Sequence, residues 1–320
     1  MTKETERSRE DALRADFASG HLPHAVLLCG PRGIGKKTLA HEIAMGILCT
    51  SEGKRPCGQC KNCRRYQSRS LPDLLLPAPK AGEKTIKTET IRSLLDTLAS
   101  APLEGRRRAV VIENAERMTP AAQNVLLKTL EEVDDSTWFF LTADSLNAIL
   151  PTILSRCRIC RLAPWSDERM RSVLKGAMIS DEEISRLVPL SGGCIGKALR
   201  IHTDLAFYED LDVVKKTFFA VRRPADIPSA LKLLREALKD KKERDSRLLD
   251  ILEEQAELLL RSPEDSDAPE AWRSAEERSL KRIMEAVIRA KAFRASNVLF
   301  PGCAENIMSV IAEEITLWQL

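Results

Sequence analysis

A glycine-rich loop with two lysines is the first place in this chain where residue types and spacing could do chemistry. Residues 30–38 read Gly-Pro-Arg-Gly-Ile-Gly-Lys-Lys-Thr, close to the phosphate-binding pattern G-x-x-x-x-G-K followed by Ser or Thr. Lys37 stands where the hydroxyl that ligates Mg²⁺ is expected. Thr38 does not replace it by a shift of one residue, because Lys36 would then take the second glycine position. The sequence therefore predicts an altered phosphate cradle made of Gly30, Gly33, Gly35, Lys36, Lys37 and Thr38.

A second polar segment follows the apolar run 109–112. An active ATPase with a phosphate loop usually has Asp at such a strand end to hold Mg²⁺, and many have an adjacent Glu that positions water. Here the two positions are Glu113 and Asn114, and a neutral amide is not a base. A polar strand end at the surface is the alternative interpretation. Coincidence with the altered loop favours a degraded hydrolysis site, and whether ATP and Mg²⁺ still bind stays open.

Thr142 and Arg156 are two further candidates, at the end of the predicted fourth strand and shortly after it. An arginine at a subunit edge can reach the γ-phosphate held by the next subunit, with a gain in rate of roughly 10³–10⁵. A lone arginine is more often a surface charge. Spacing alone therefore does not assign this role to Arg156.

Four of the nine cysteines lie between residues 49 and 63, at Cys49, Cys57, Cys60 and Cys63. Two C-x-x-C steps share Cys60, which argues against chance clustering. Four thiolates close a tetrahedral Zn²⁺ site and leave no open position for catalysis. We therefore predict structural zinc rather than free or redox-active thiols. Basic residues between 54 and 69 surround the cluster, and they would contact DNA, an acidic partner or only solvent.

The composition excludes several classes of protein. The 320 residues predict two or three domains, and 43% hydrophobic with only 4% aromatic residues favours a mostly helical protein. A net charge of +3 argues against a global nucleic-acid or membrane field. No apolar run approaches the roughly 18–20 residues that span a bilayer. The charged start of the chain lacks the apolar core of a signal peptide, and the cysteine usage fits a reducing, cytoplasmic environment.

Short apolar runs alternate with amphipathic segments through the first half of the chain. The runs at 25–29, 73–76, 109–112, 138–142 and 158–162 predict five strands. Residues 36–48, 88–99 and a segment that begins at Thr119-Pro120 predict helices. The alternation predicts an α/β fold with a parallel sheet, and from about residue 166 the pattern is helical to the end. We expect domains at 1–164, which contains the cysteine module at 49–63, at 165–206 and at 207–320.

In combination, these residues resemble the delta-prime family of clamp-loader subunits of bacterial DNA polymerase III, which are AAA+ proteins. The resemblance covers roughly residues 17–205. Its segments are residues 24–33, the four-cysteine module, Leu126-Leu127-Lys128-Thr129-Leu130-Glu131-Glu132, and Ile153-Leu154-Ser155-Arg156-Cys157. It implies an AAA+ P-loop parallel-sheet domain with a zinc module, a small helical lid domain and a C-terminal helical collar domain for oligomerisation.

The resemblance also implies roles for single residues. Arg156 would reach into the ATP site of the adjacent motor subunit, Thr142 would hold the polar sensor position, and the four cysteines would bind structural zinc. Motor subunits carry a second sensor arginine, and Gly196 stands in its place here. The loop hydroxyl and the Asp-Glu pair are missing as well, so the resemblance implies a non-motor subunit.

We therefore expect a stator-like clamp-loader subunit that completes a neighbour's ATP site during sliding-clamp loading in DNA replication. It would belong to a DNA-directed DNA polymerase holoenzyme without being an ATPase by itself. Its partners would be gamma/tau and delta subunits in a hetero-pentamer, with the sliding clamp and primed DNA reached through the complex, and no membrane. Two alternatives remain: an active ATPase motor of the gamma/tau type, and a zinc-containing DNA-binding module.

Overall fold

The computed structural model describes residues 3–104, 106–132, 136–239, 244–266, 268–296 and 298–316. The chain divides into two compact units. The first contains Met1–Ser166 and Cys194–Gly196, and the second contains Asp167–Gly193 and Lys197–Leu320. The domain boundaries expected after residues 164 and 206 stay predictions.

The first unit is built around a parallel sheet. Its strands β1 to β5 span Ala25–Cys29, Leu74–Leu75, Arg108–Ile112, Thr137–Ala143 and Arg158–Arg161. Its helices α1 to α6 span Lys3–Ser19, Lys36–Leu48, Lys61–Gln67, Thr88–Leu98, Pro120–Glu131 and Pro151–Leu154. The strand order is β2-β3-β4-β1-β5, and every pairing is parallel. The predicted α/β class with a parallel sheet is confirmed.

Helices cover both faces of this sheet, because successive side chains of a strand point to opposite sides. In β1, Val26 and Leu28 belong to a core shared with α1 and α2. Ala25 and Leu27 belong to a second core shared with α4 and α5. The strand is therefore buried throughout, and it fixes the loop that follows it at the carboxyl edge of the sheet.

Strand β2 is shorter than the predicted run 73–76. Only Leu74 and Leu75 pair with β3. The backbone carbonyl of Asp73 still accepts the N–H of Ala109 in β3 at 3.0 Å, while its carboxylate accepts the backbone N–H groups of Leu103 and Glu104, at 2.8 and 3.1 Å. A buried carboxylate with such partners is satisfied in the loop rather than in the strand.

The helices α1 and α3 were not predicted. Helix α1 has few apolar residues, but Leu13 is buried and the ring of Phe17 packs against Gly46 of α2. A Cβ at Gly46 would lie 2.4 Å from that ring, so this close approach requires glycine. Helix α3 begins inside the cysteine cluster, where the Sγ of Cys60 accepts the N–H of Cys63 and caps the helix.

The remainder of the chain is helical, as predicted. Helices α7 to α15 span Asp167–Gly176, Asp181–Ser191, Ile195–Thr203, Phe207–Thr217, Ile227–Ala237, Arg244–Arg261, Glu270–Arg273, Glu277–Ala295 and Phe300–Thr316. Helix α8 ends at Gly192 in the left-handed conformation, with φ of 62°. In the second unit the rings of Phe219 and Trp272 pack with centroids 4.4 Å apart. Among the described helices, none combines the length and the hydrophobicity that crossing a membrane requires.

Candidate functional site

The phosphate loop connects β1 to α2, so the predicted strand–loop–helix context is observed. Gly33 and Gly35 have φ values of 84° and 105°, in the left-handed region that favours glycine. A Cβ added at Gly35 would meet no atom within 4 Å. The glycines thus keep the curl of a phosphate cradle, although other residues have changed its chemistry.

Lys36 is folded back onto the protein. Its Nζ lies 2.6 Å from the carbonyl oxygen of Gly30, 2.9 Å from that of Pro31 and 2.7 Å from Oδ1 of Asp144. The side chain is only 5% exposed. An ammonium has three N–H donors, and all three have an internal acceptor here. In this conformation Lys36 offers no donor to a phosphate oxygen.

Lys37 forms an ion pair with the carboxylate at the end of β3. Its Nζ lies 2.7 Å from Oε2 of Glu113, and Nε2 of His41 lies 3.0 Å from Oε1 of the same carboxylate. Burial opposes ionisation of Glu113, but the hydrogen bonds from Lys37 and His41 outweigh it and hold the pKa of Glu113 below its usual value. The carboxylate that the sequence predicts at the metal-binding position is therefore paired with a cation of its own chain.

Thr38 and Thr142, the other two predicted site residues with hydroxyl groups, differ in burial. Thr38 is exposed and lines a cavity of about 520 Å³ together with Lys37 and His41. Thr142 is fully buried, and its Oγ1 accepts the backbone N–H of Asn114 at 3.0 Å. The hydroxyl of Thr142 thus shapes the turn after β3, and its sensor role stays a prediction.

Gly196 packs directly on the phosphate loop. Its N–H donates to the carbonyl oxygen of Gly33 at 2.8 Å. A Cβ at position 196 would lie 3.0 Å from that oxygen and 3.2 Å from the Cα of Gly33. The position that the resemblance assigns to a sensor arginine is therefore occupied by a glycine, which lets the backbone approach Gly33 closely.

Arg156 lies at the rim of the first unit, in the turn after α6. Ile153 and Cys157 on either side are buried and anchor the turn, whereas the side chain of Arg156 is 33% exposed. Its guanidinium pairs with Glu131, the last residue of α5. It also donates through Nη1 to the carbonyl oxygen of Thr152 at 3.0 Å. The arginine is held at the surface rather than used in the core.

The four cysteines come together as predicted. Their Sγ atoms all lie within 4.8 Å of one another, with Cys49 and Cys60 at 3.9 Å and Cys57 and Cys63 at 4.0 Å. A tetrahedral Zn²⁺ with Zn–S bonds of about 2.3 Å places its sulfur ligands about 3.8 Å apart. The cluster therefore fits a metal such as zinc, with all four positions supplied by protein.

Hydrogen bonds also prepare one thiol of the cluster for ionisation. Burial acts against the thiolate of Cys60, but the N–H groups of Cys63 and Thr50 lower the pKa of Cys60 to about 5. Burial, with a further contribution from Cys60, raises the pKa of Cys63 to about 12. The cluster thus loses its protons in separate steps, as expected for thiols that share one site.

The basic residues around the cysteine cluster are partly neutralised. Arg65 forms an ion pair with Glu104, and Lys61 lies 3.5 Å from the same carboxylate. The hydrogen bond from Arg65 lowers the pKa of Glu104. This pairing reduces the positive charge that the segment offers to nucleic acid, which weakens the alternative of a zinc-containing DNA-binding module.

Sequence analysis missed three residues that bond to the predicted site residues. Asp144 pairs with Lys36, His41 contacts Glu113, and Glu131 pairs with Arg156. Asp144 was detectable, because it follows β4, whose carboxyl end lies beside that of β1. His41 follows Lys37 by one helical turn, and residues four apart share a helix face. Glu131 lies in a segment that carries the resemblance, but its pairing with Arg156 gave no signal, because the contact spans 25 residues.

With this geometry established, comparison with known proteins decides the family. A family model described as DNA polymerase III, delta subunit, matches residues 6–166, half of the chain. The chain belongs to this family. The matched segment contains the phosphate loop, the cysteine cluster and Arg156.

Individual relatives agree with this assignment. The chain is 36% identical over 179 residues to DNA polymerase III subunit delta' of Haemophilus influenzae, covering 56% of this chain and 54% of that protein. It is 32% identical over 193 residues to the Escherichia coli delta' subunit, covering 60% and 58%. It is also 34% identical over 175 residues to the Escherichia coli tau subunit, covering 54% and 27%. The alignments span little more than half the length of the delta' relatives.

These findings confirm the resemblance to the delta-prime family. The chain is a member of the DNA polymerase III clamp-loader family of DNA replication. Because delta' and tau relatives both match, the residues of the phosphate loop and of the rim must indicate which role this chain has.

Proposed function

We propose that the chain is a non-motor, stator-like subunit of the DNA polymerase III clamp loader. It does not hydrolyse ATP itself, and it lends Arg156 to the ATP site of a neighbouring motor subunit. The observation that carries this proposal is the ion pair of Lys37 with Glu113 at 2.7 Å. It joins the two positions at which an active ATPase provides a hydroxyl and a carboxylate for Mg²⁺.

Three changes support the loss of hydrolysis. Phosphoryl transfer depends on a lysine on the phosphates, a metal ion and a residue that positions water. Lys36 is bound by three oxygens of its own protein. Lys37 places a cation, paired with Glu113, at the position where an active ATPase has the hydroxyl that ligates the metal. Asn114 provides no base, and its N–H is already bonded to Thr142.

The position of Arg156 supports the second half of the proposal. A finger must be exposed and yet fixed to the sheet, and Arg156 is one-third exposed between two buried anchors. The partners that would receive it are gamma/tau motor subunits, in a hetero-pentamer that also contains delta. The assembly would close a sliding clamp on primed DNA, while the C-terminal helices form its collar and Cys49, Cys57, Cys60 and Cys63 hold structural zinc.

Reconstitution with the motor and delta subunits of the same cell tests this proposal. Arg156→Ala is expected to slow ATP turnover at the served site by roughly 10³-fold. The steady-state ATPase rate of the complex should therefore fall by the contribution of that one site. Arg158→Ala is the control, because Arg158 is also exposed and paired, with Asp16, but is not expected to reach a neighbour. An unchanged rate with Arg156→Ala would show that Arg156 does not act as an arginine finger.

The isolated chain tests the proposal that this subunit does not hydrolyse ATP by itself. We expect no Mg²⁺-dependent ATP turnover above background. Robust turnover that is abolished by Lys36→Ala would instead support the motor alternative.

A further inference from the structure

The guanidinium of Arg156 is held within its own subunit by Glu131, Thr152 and Ser155. Its Nε and Nη2 both donate to Oε1 of Glu131. Its Nη1 donates to the carbonyl oxygen of Thr152 at 3.0 Å and lies 3.3 Å from Oγ of Ser155. The guanidinium is therefore shared between two sets of acceptors, one on its own turn and one on α5.

The two sets differ in character. Thr152 and Ser155 belong to the turn that carries the arginine, so these contacts orient the side chain wherever the turn goes. Glu131 is the last residue of α5, where the helix carries partial negative charge. A carboxylate there is unfavourable without a cation nearby, so Arg156 is a favoured partner. Arg156 and Glu131 are 33% and 46% exposed, and such surface pairs exchange readily.

We propose that Glu131 is a positioning residue that holds Arg156 back until the triphosphate of a neighbouring subunit competes for its guanidinium. This inference rests on the proposed function, since it deepens the role of Arg156. A triphosphate carries several negative charges and accepts bidentate hydrogen bonds from guanidinium. It replaces the carboxylate at Nε and Nη2, while Nη1 keeps its contacts on the turn. The exchange breaks and forms hydrogen bonds only.

The test compares two neighbouring glutamates in the reconstituted clamp loader. Glu131→Gln removes the charge that restrains Arg156. Glu132→Gln removes the same charge one residue away, where Glu132 pairs with Lys128 at 3.9 Å. We expect Glu131→Gln to lower the KM for ATP by about two- to fivefold, the range that an exposed ion pair allows, with kcat unchanged. Glu132→Gln should leave both constants unchanged.

Two further measurements show that the effect passes through Arg156. In the Arg156→Ala background, Glu131→Gln should change nothing. The difference in KM between wild type and Glu131→Gln should shrink as salt rises, because exposed charges are screened. Glu131→Lys replaces attraction by repulsion and should lower KM at least as far.

The outcomes separate this inference from the proposed function. If Arg156→Ala leaves turnover unchanged, the finger assignment fails and the restraint fails with it. If Arg156→Ala slows turnover but Glu131→Gln behaves like Glu132→Gln, only the restraint is wrong. A lower kcat with an unchanged KM for Glu131→Gln would also overturn it, because Glu131 would then present the arginine instead of restraining it.

Discussion

The phosphate loop and the rim of the same unit both carry cations, but they hold them in different ways. Lys36 is 5% exposed and has three internal acceptors, and Lys37 is paired with Glu113 at the end of β3. Arg156 is 33% exposed, and its only charged partner in the described part of the chain is itself half exposed. Lys36 is thus committed to its own subunit, whereas Arg156 and Lys37, which is 48% exposed, belong to ion pairs that solvent reaches.

This difference is also a difference in energetics. A buried ammonium must be fully hydrogen-bonded, and removal of one side of such a contact leaves unsatisfied buried groups. An exposed ion pair contributes little to folding, because water and salt compete for both partners. The phosphate loop has therefore become part of the structure that stabilises the first unit, whereas the rim keeps a group whose loss the fold tolerates.

The largest expected contrast is in stability. Lys36→Met removes three hydrogen bonds from a charged donor and leaves two loop carbonyls without it. We expect the free energy of unfolding to fall by about 2–3 kcal/mol. Arg156→Ala should lower it by less than about 1 kcal/mol. Urea denaturation of the two variants measures both values, and equal losses would break the comparison.

A smaller effect should appear on acidification. Burial raises the pKa of Glu113, but the hydrogen bonds from Lys37 and His41 outweigh it and lower this pKa below its usual 4.5. A lowered pKa in the folded state gives stability that is present above pH 4.5 and is lost as the pH falls through the folded value. Lys37→Met removes one partner of Glu113. On acidification, the free energy of unfolding of this variant should therefore fall by about 0.5–1 kcal/mol less than that of wild type, with allowance for solvent screening.

Urea denaturation at neutral pH and near pH 3 measures this difference. Lys84→Met is a matched control, because Lys84 is exposed and distant in sequence from the site. If Lys37→Met and Lys84→Met lose the same stability on acidification, the Lys37–Glu113 pair does not stabilise the fold.

The sheet and the position of the loop could be predicted from sequence because they depend on local patterns. The run Ala25–Cys29 is apolar at every position and is followed by glycines, so a buried strand and a turn follow directly. The shortening of β2 could not be predicted in this way. The carboxylate of Asp73 bonds to a loop thirty residues away, and single-sequence patterns contain no such contact.

The candidate site was predicted in its residue types but not in its pairings. The sequence indicated that Lys37 and Glu113 depart from an ATPase. It did not indicate that these two departures meet across 76 residues of chain, because the start of helix α2, which carries Lys37, lies beside the end of β3 in the fold. The same holds for Glu131 and Arg156. Spacing identified the cations, and only the fold identified which carboxylate neutralises each one.

Removing the metal from the cysteine module should have the smallest effect on the phosphate loop. Cys49 and Cys63 are buried in the core that α2 shares with the sheet, and Tyr66 of α3 lies near His41 of α2, with ring centroids 5.8 Å apart. The partners of Lys36, in contrast, all lie outside the module. Chelation of the metal should therefore raise hydrogen exchange in residues 49–67 and leave residues 30–41 protected.

Mass spectrometry of exchanged peptides, with zinc content measured in parallel, tests this expectation. Cys60→Ser should lose the metal, whereas Cys303→Ala should retain it, because Cys303 is buried in the second unit, outside the cluster. If residues 30–41 exchange as fast as residues 49–67 once the metal is removed, the internal pairing of Lys36 depends on the module. The protection of the phosphate loop would then depend on the metal, and the contrast between the loop and the rim would no longer stand.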